Sequence, residues 1–481
     1  MGQDTELSAE KINSLASKVG LSLGTQTAGK FIEPVANILE SMEPVESRTT
    51  HQPSIEAVEG LGREDPHNAF ITSCRIERPG RTGRLDGQRI ALKDNIALSG
   101  VPLTAGSGML EGYIPEDNAP VVERLLDEGG TIVGKANMDE FAFGPTGETS
   151  YFGPTENPRS PEHTPGGSSS GSAAAVATGD ADIALGTDTG GSVRIPASYC
   201  GVLGLKPTQG RIPTTGVVEL AGSLDTVGIL GTDLGQLADA FATLSDDWDR
   251  PDTVDPISLD SLTLGIPDSL FESPVRSNVA EQITTAVGTL TAAGATETAI
   301  SLPSTTLSSA VWRTLTMSEL FQYFAANAMP YRQPGGSRPP YSAAFRGATA
   351  ADIDRLSKPL KQYLVIGAHL VTNDGGRRYG NALDVQDHLT EQVNEAFEEA
   401  DVLISPSTPT TAFEFGAFSR DSSPPINNNT HLFNLSGHPA ISVPCGTVEG
   451  LPIGIQIVGE KGADTEVLRV ARTVRESIDA D

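Results

Sequence analysis

The chain has 481 residues, enough for one large α/β domain with additions or up to about three average ones, and its 38% hydrophobic and 20% charged content is that of a folded globular protein. Its 62 acidic against 33 basic residues give a formal charge of −29, a surface that repels phosphate backbones and anionic membranes and so argues against direct nucleic-acid or membrane partners. Cys74, Cys200 and Cys445 form neither a disulfide framework nor a Cys-x-x-Cys pair, the polar N-terminus lacks a signal-peptide pattern, and no apolar run nears the ~18 residues of a membrane span; a cytoplasmic protein with no metal centre is expected.

Ile12, Leu15, Ala16 and Val19 recur at helical spacing after Ser8, with Gly20 as the stop. A second helix is expected with Pro34 in its first turn, Val35, Ile38, Leu39 and Met42 on one face and Pro44 at its end. Residues 1–60 therefore form a helical appendage, joined by the polar stretch ESRTTHQPS, and 61–481 the main domain, with a motif core at 85–245. In that core RIALKD, TIVGKAN and ADIALGTD alternate with helical stretches such as APVVERLLDEGG, which is the pattern of an α/β fold with a buried sheet. After the Pro-rich, charged break SDDWDRPDTVDP come the strand LTLGIP, a helix carrying Val279, Ile283, Val287 and Leu290, and a less periodic cover at about 300–400. ADVLISPSTP, AISVPCG and PIGIQIVG then return as strands of the same sheet.

Two clusters of small residues and one lysine carry the chemistry. Gly166–Ser172 runs directly into AAAVA, so it is a loop ending at a helix N-terminus with free N–H groups, unless it is a plain Gly/Ser linker. Within it Gly167–Gly171 also matches Gly-x-Ser-x-Gly, which would make Ser169 the nucleophile of a Ser-His-Asp hydrolase; SPEHTP before it is no strand, and only His431 and His438 fall late enough to complete such a triad. The second cluster, Thr189-Gly190-Gly191-Ser192, follows a strand and lets the backbone turn several N–H groups toward one oxyanion, with a simple Gly-rich turn as the alternative. Lys93 ends an apolar strand: burial disfavours its charged form and yields a general base, whereas a strand-edge surface position would not. Asp94 is expected to face the other side of the sheet.

With these features the chain resembles the amidase signature family, whose Gly-Gly-Ser-Ser-Gly-Gly and Asp-x-Gly-Gly-Ser-x-Arg loops correspond to Gly166–Ser172 and Asp188–Arg194, with the same separation of Ser168 and Ser192 and with Lys93 in a Lys-Asp-Asn context. The resemblance runs from about Gly60 to the C-terminus through GKANMDEF, YCGVLGLKPTQGR and NLSGHPAISVP, and weakens over 250–400. It implies a large central mixed β-sheet covered by helices on both faces. It further implies Lys93 as neutral base, Ser168 as relay after a cis Gly167 peptide, Ser192 as acyl-forming nucleophile, and the N–H groups of Thr189, Gly190, Gly191 and Ser192 as the oxyanion hole. Asp188 and Arg194 are expected to pair and hold the loop. Ser170 stands where a glycine is usual, so a positive φ there would be strained.

The implied reaction is hydrolysis of a small-molecule amide to carboxylate and ammonia, with no cofactor and a homodimer as a possible assembly. Between family subgroups, the N-terminal helices and the match at Asn429, Thr430, Phe433, Asn434, Gly437 and His438 favour a free-standing amidase. TSYFGPTENP, GTDTGGSVR and GLKPT look like the glutaminase component of tRNA-dependent amidotransferases, but the basic helix that grips glutamine's carboxylate is missing from LSKPLKQYLVIG, and no acidic residue precedes NLSGHP at Thr430, His431 and Leu432. A silent scaffold role is disfavoured by the intact Lys93, Ser168 and Ser192. His431 and His438 are expected to be structural or pocket-lining.

Overall fold

In a β-strand, alternate side chains leave on opposite faces, and the apolar runs of this chain use both. Of β2 (Arg89–Lys93), Ile90 and Leu92 join one buried cluster and Ala91 another; of β4 (Ile183–Asp188), Ile183 and Leu185 part from Ala184 in the same way. The computed structural model describes residues 7–18, 21–42, 64–246, 254–272, 274–326, 345, 350–418 and 425–479. Its backbone divides into two compact units, residues 1–52 and 53–481.

The first unit holds α1 (Ala9–Lys18) and α2 (Thr25–Met42). Ser8 Oγ accepts the Lys11 N–H at 3.1 Å, as an N-terminal cap should. The second helix departs from expectation: it begins at Thr25 and holds Pro34 inside it, because the apolar spacing Ala28, Phe31, Val35, Ile38 starts before the proline, and Pro34 costs one backbone donor without ending the helix. Gly20, Pro44 and the break near residue 60 lie outside the described residues.

In the second unit, β1 (Phe70–Ile76), β2, β3 (Thr131–Ala136), β4, β5 (Leu203–Lys206), β6 (Thr226–Gly231), β7 (Thr263–Pro267), β8 (Thr296–Ile300), β9 (Val402–Pro406), β10 (Ala440–Val448) and β11 (Leu451–Val458) form one mixed sheet of 11 strands, in the order β1-β3-β2-β4-β6-β5-β10-β11-β9-β7-β8. The late strands close onto the early ones through antiparallel pairing of β10 with β5, Ala440 opposite Lys206.

Helices cover both faces. The Ile90/Leu92 face packs on α3 (Pro120–Asp127), α6 (Leu234–Leu244), α7 (Ser277–Ala292) and, through Val467 and Val470, the C-terminal helix. The Ala91 face packs on α4 (Ser170–Ala177) and α5 (Arg194–Cys200), where Ala173, Ala174, Ala184 and Ala197 bring helix and sheet close together. The expected cover contains α8 (Thr305–Ala325), α9 (Ala350–Asp354), α10 (Lys358–Ala368) and α11 (Arg377–Ala396), followed by α12 (His431–Leu435) and α13 (Asp464–Asp479). No described helix is long and apolar enough to cross a membrane, and no described group of His, Cys, Asp and Glu is placed to hold a metal ion.

Candidate active site

Lys93 is the last residue of β2 and shares the Ala91 face, so its side chain runs toward the loop that starts α4. It is fully buried, and its Nζ lies 2.8 Å from Ser168 Oγ, 2.8 Å from Thr187 Oγ1 and 3.3 Å from the Thr187 carbonyl. Asn95 Nδ2 donates to the same Thr187 hydroxyl at 3.2 Å and to the Val218 carbonyl at 3.2 Å. Burial pushes the Lys93 amine down from 10.5 to about 7, against the opposing pull of the Asp139, Asp188 and Asp225 carboxylates. Carboxylates therefore act on Lys93 at longer range, although its direct neighbours are hydroxyls. Asp94 is occupied elsewhere: it takes Lys135 Nζ at 3.0 Å and the Thr104 N–H at 2.9 Å.

The loop Gly166–Ser169 is held by close packing. Gly166 sits at φ +74 where a Cβ would meet Ile195, Tyr199 and Pro196, and the Gly167–Ser168 peptide is cis. Asp139 anchors this region, accepting the Gly147 N–H at 2.8 Å and Thr149 Oγ1 at 2.8 Å, while its own N–H donates to Ser168 O at 3.2 Å. Ser170 opens α4 in helical conformation, so the glycine it replaces was not needed for φ; its hydroxyl meets Thr155 Oγ1 at 3.1 Å. Ser172 donates to Leu185 O at 3.0 Å.

Ser192 is half-buried at a pocket wall. No hydrogen bond joins its hydroxyl to Ser168 among the described residues, so the two ends of the expected relay stand in one site with that link open. The four expected oxyanion donors are not equivalent. The Gly191 N–H donates to Asp188 Oδ1 at 2.8 Å, whereas no described protein acceptor takes the N–H of Thr189, Gly190 or Ser192. The reason is the loop's left-handed turn at Gly191, φ +124, which folds that amide back onto the aspartate. Carbonyls of the loop are pinned from outside: Trp312 Nε1 donates to Thr189 O at 2.8 Å and Thr430 Oγ1 to Gly190 O at 2.6 Å.

Asp188 and Arg194 pair as expected, Nη2 to Oδ1 at 2.9 Å and Nε to Oδ2 at 3.1 Å, both fully buried. The guanidinium also donates to Asn434 Oδ1 at 2.7 Å, Gln456 Oε1 at 2.8 Å and Thr430 O at 3.2 Å, tying the nucleophile loop to the C-terminal strands. Arg194 holds the Asp188 carboxyl well below the usual carboxylate range despite its burial.

Ser192 and Gly190 open into a cavity of about 320 Å³ walled by Phe143, Trp312, Met317, Tyr363, Phe418 and Ile426, with Arg313 and Asn427 as polar members. Ser169 is not in it: its hydroxyl is buried against β4, donating to Thr187 O at 3.3 Å and accepting the Thr187 N–H at 3.3 Å. Nor do the late histidines reach it. His431 Nδ1 donates to Asn427 O at 2.5 Å with Nε2 3.0 Å from Ser308 Oγ, and burial takes the imidazole down to about 4. His438 stacks on Phe397 with Nδ1 2.9 Å from Ser436 Oγ, and is pushed down to about 3. The elbow reading of Ser169 thus lacks its strand, its pocket and its base.

Sequence reasoning missed Thr187, Asn95, Asp139 and Trp312. Asp139 lies in GKANMDEF and Thr187 in GTDTGG, so local motifs carried a signal; Trp312 lies in the weakly patterned cover, and only the packing of α8 brings it to Gly190, where a Cβ would stand 2.7 Å from its ring.

Comparison with known proteins places this site in a wider set. The GatA-type component of the glutamyl-tRNA(Gln) amidotransferase from Natronomonas pharaonis is 41% identical over 423 residues, 84% of this chain and 98% of that protein. The crystal structure of the corresponding glutamyl-tRNA(Gln) amidotransferase component from Thermotoga maritima superposes with a TM-score of 0.71 at 32% identity, covering 86% of this chain and 88% of that one. Native peptide amidase from Stenotrophomonas maltophilia gives 0.69 at 28% identity, covering 82% and 84%. The relatives thus bear the amidotransferase name that sequence reasoning ranked behind a free-standing amidase, as well as the amidase name. The family model described as Amidase matches residues 66–468, and this chain is therefore an enzyme of the amidase signature family.

Proposed function

We propose that the protein hydrolyses a carboxamide through an acyl-enzyme on Ser192. The observation that carries this reading is the 2.8 Å contact between a neutral-leaning, buried Lys93 and Ser168, beside the pocket that Ser192 lines. Serine is a weak nucleophile until a base takes its proton. As Ser192 Oγ attacks the amide carbon, its proton passes to Ser168 while the Ser168 proton passes to Lys93. The carbonyl oxygen becomes an oxyanion facing the free N–H groups of Gly190 and Ser192, with Thr189 as a third donor. Collapse breaks the C–N bond, the Lys93 proton leaves with ammonia, and water then releases the acid from Ser192 by the same relay. The open Ser192–Ser168 link closes when substrate fills the pocket, since such bonds tighten in the substrate complex. No cofactor or metal is required by these steps.

For the amide itself, the pocket supports a free-standing amidase. Free glutamine carries a carboxylate and an ammonium, and among the described lining residues there is a cation, Arg313, but no carboxylate. LSKPLKQYLVIG forms α10 and presents Tyr363 and Ile366 to the pocket, not a basic side chain. The second reading, the glutaminase component of a tRNA-dependent amidotransferase, rests on the names of relatives as close as 41%. Ammonia release by the purified chain from glutamine and from aliphatic, aryl and amino-acid amides separates the two. Turnover of an apolar amide by the chain alone supports the first; glutaminase activity that needs a tRNA-binding partner protein establishes the second.

A further inference from the structure

We propose that the substrate is an apolar, ring-bearing carboxamide with an anionic group away from the scissile bond, and that Arg313 is the counterion that selects it; this rests on the amidase reading above.

The pocket holds the argument. Four aromatic side chains, Phe143, Trp312, Tyr363 and Phe418, line a cavity of about 320 Å³, at the small end of the range for small-molecule sites. Phe143 and Tyr363 meet at a centroid separation of 4.1 Å, and Trp312 is fixed by its hydrogen bond to Thr189 O, so these walls are preformed around a flat, apolar body. The amide end of a ligand is set by the free N–H groups beside Ser192. Any charged end must therefore meet another part of the lining.

Arg313 is the charged residue there among the described lining. An arginine on open surface needs no partner, but this one follows Trp312 on α8 and faces the same cavity as the nucleophile. No described carboxylate pairs with it, in a chain carrying 62 acidic residues. A guanidinium beside aromatic walls matches a carboxylate by paired N–H donors, and an ammonium-bearing ligand would find repulsion instead. Because Arg313 is exposed, the selection is moderate, of the order of tenfold, and weakens with salt.

The test compares phenylacetamide with its para-carboxylate, 4-(carbamoylmethyl)benzoate, on the full-length enzyme, the Arg313→Gln variant and the Arg313→Lys variant. The expected result is a kcat/KM about tenfold higher for the carboxylate, a ratio that falls toward one in Arg313→Gln through KM and is partly kept in Arg313→Lys. Equal rates for the two amides in the unsubstituted enzyme, an equal loss for both in Arg313→Gln, or faster turnover of glutamine than of either would overturn the proposal. If a fluorophosphonate labels Ser192 while neither amide is hydrolysed, this inference fails and the amidase reading stands. If Ser192 is not labelled, the amidase reading itself has failed.

Discussion

The base form of Lys93 should govern the acid limb of the pH–rate profile. With an amine pushed down to about 7, half the enzyme holds a neutral base at pH 7, roughly a tenth at pH 6 and roughly nine-tenths at pH 8. An ordinary lysine near 10.5 would be neutral in about one molecule in three thousand at pH 7, so burial in the sheet supplies roughly a thousandfold more of the active form. The sign is fixed: the group works unprotonated, so kcat/KM for an uncharged amide should rise about tenfold from pH 6 to 8 and then level. Asp225, raised to about 6 by burial, and Lys206, lowered to about 7 by burial, titrate in the same window. Lys93→Ala and Lys93→Arg distinguish them, since both lack the base and should lose about 10²–10⁴ of the acylation rate. Stopped-flow acylation with an uncharged aryl amide, with circular dichroism to show each variant is folded, makes the measurement. A flat profile between pH 6 and 8, the same limb persisting in Lys93→Ala, or near-normal acylation by Lys93→Arg would refute the general-base assignment.

Two further outcomes follow from the loop geometry. Arg194→Met leaves the Asp188 carboxylate buried without its partner and removes the donors to Asn434 and Gln456, so thermal unfolding should show a loss of about 3–5 kcal/mol; Arg194→Lys should not restore it, because one ammonium cannot span the carboxylate, Asn434 and Gln456 together. Gly191→Ala should cost at least tenfold in kcat with little change in KM, because φ is +124 there and the added methyl would run into Thr430 Oγ1, displacing the amides of Gly190 and Ser192; normal kcat would show that these amides do not hold the oxyanion.

What was legible in the sequence was local or periodic. ADIALGTD announced β4 by its apolar run, Asp188 and Arg194 stood close enough in sequence for their pairing to be expected, and Lys93 stood out as a cation ending an apolar strand. The two small-residue clusters could be assigned to one site because each flanks β4 or the helix packed upon it. The unforeseen features depend on tertiary packing. Nothing near Trp312 or Arg313 signals a pocket; α8 reaches the loop only after the chain has passed through β7 and β8 at the far edge of the sheet. The diversion of the Gly191 amide to Asp188 depends on backbone angles that Gly-Gly permits without dictating. The helix through Pro34 runs against the local signal, since proline favours a first turn, while the apolar stripe on both sides of it overrides that preference.

The central claim, an acyl-forming Ser192, is tested most directly by reacting the full-length protein with a fluorophosphonate and locating the adduct by peptide mass spectrometry, alongside Ser192→Ala and Ser169→Ala. The account predicts one adduct on Ser192, lost in Ser192→Ala and kept in Ser169→Ala, whose hydroxyl is spent on the backbone of β4. An adduct on Ser169, or labelling that survives Ser192→Ala, would contradict it.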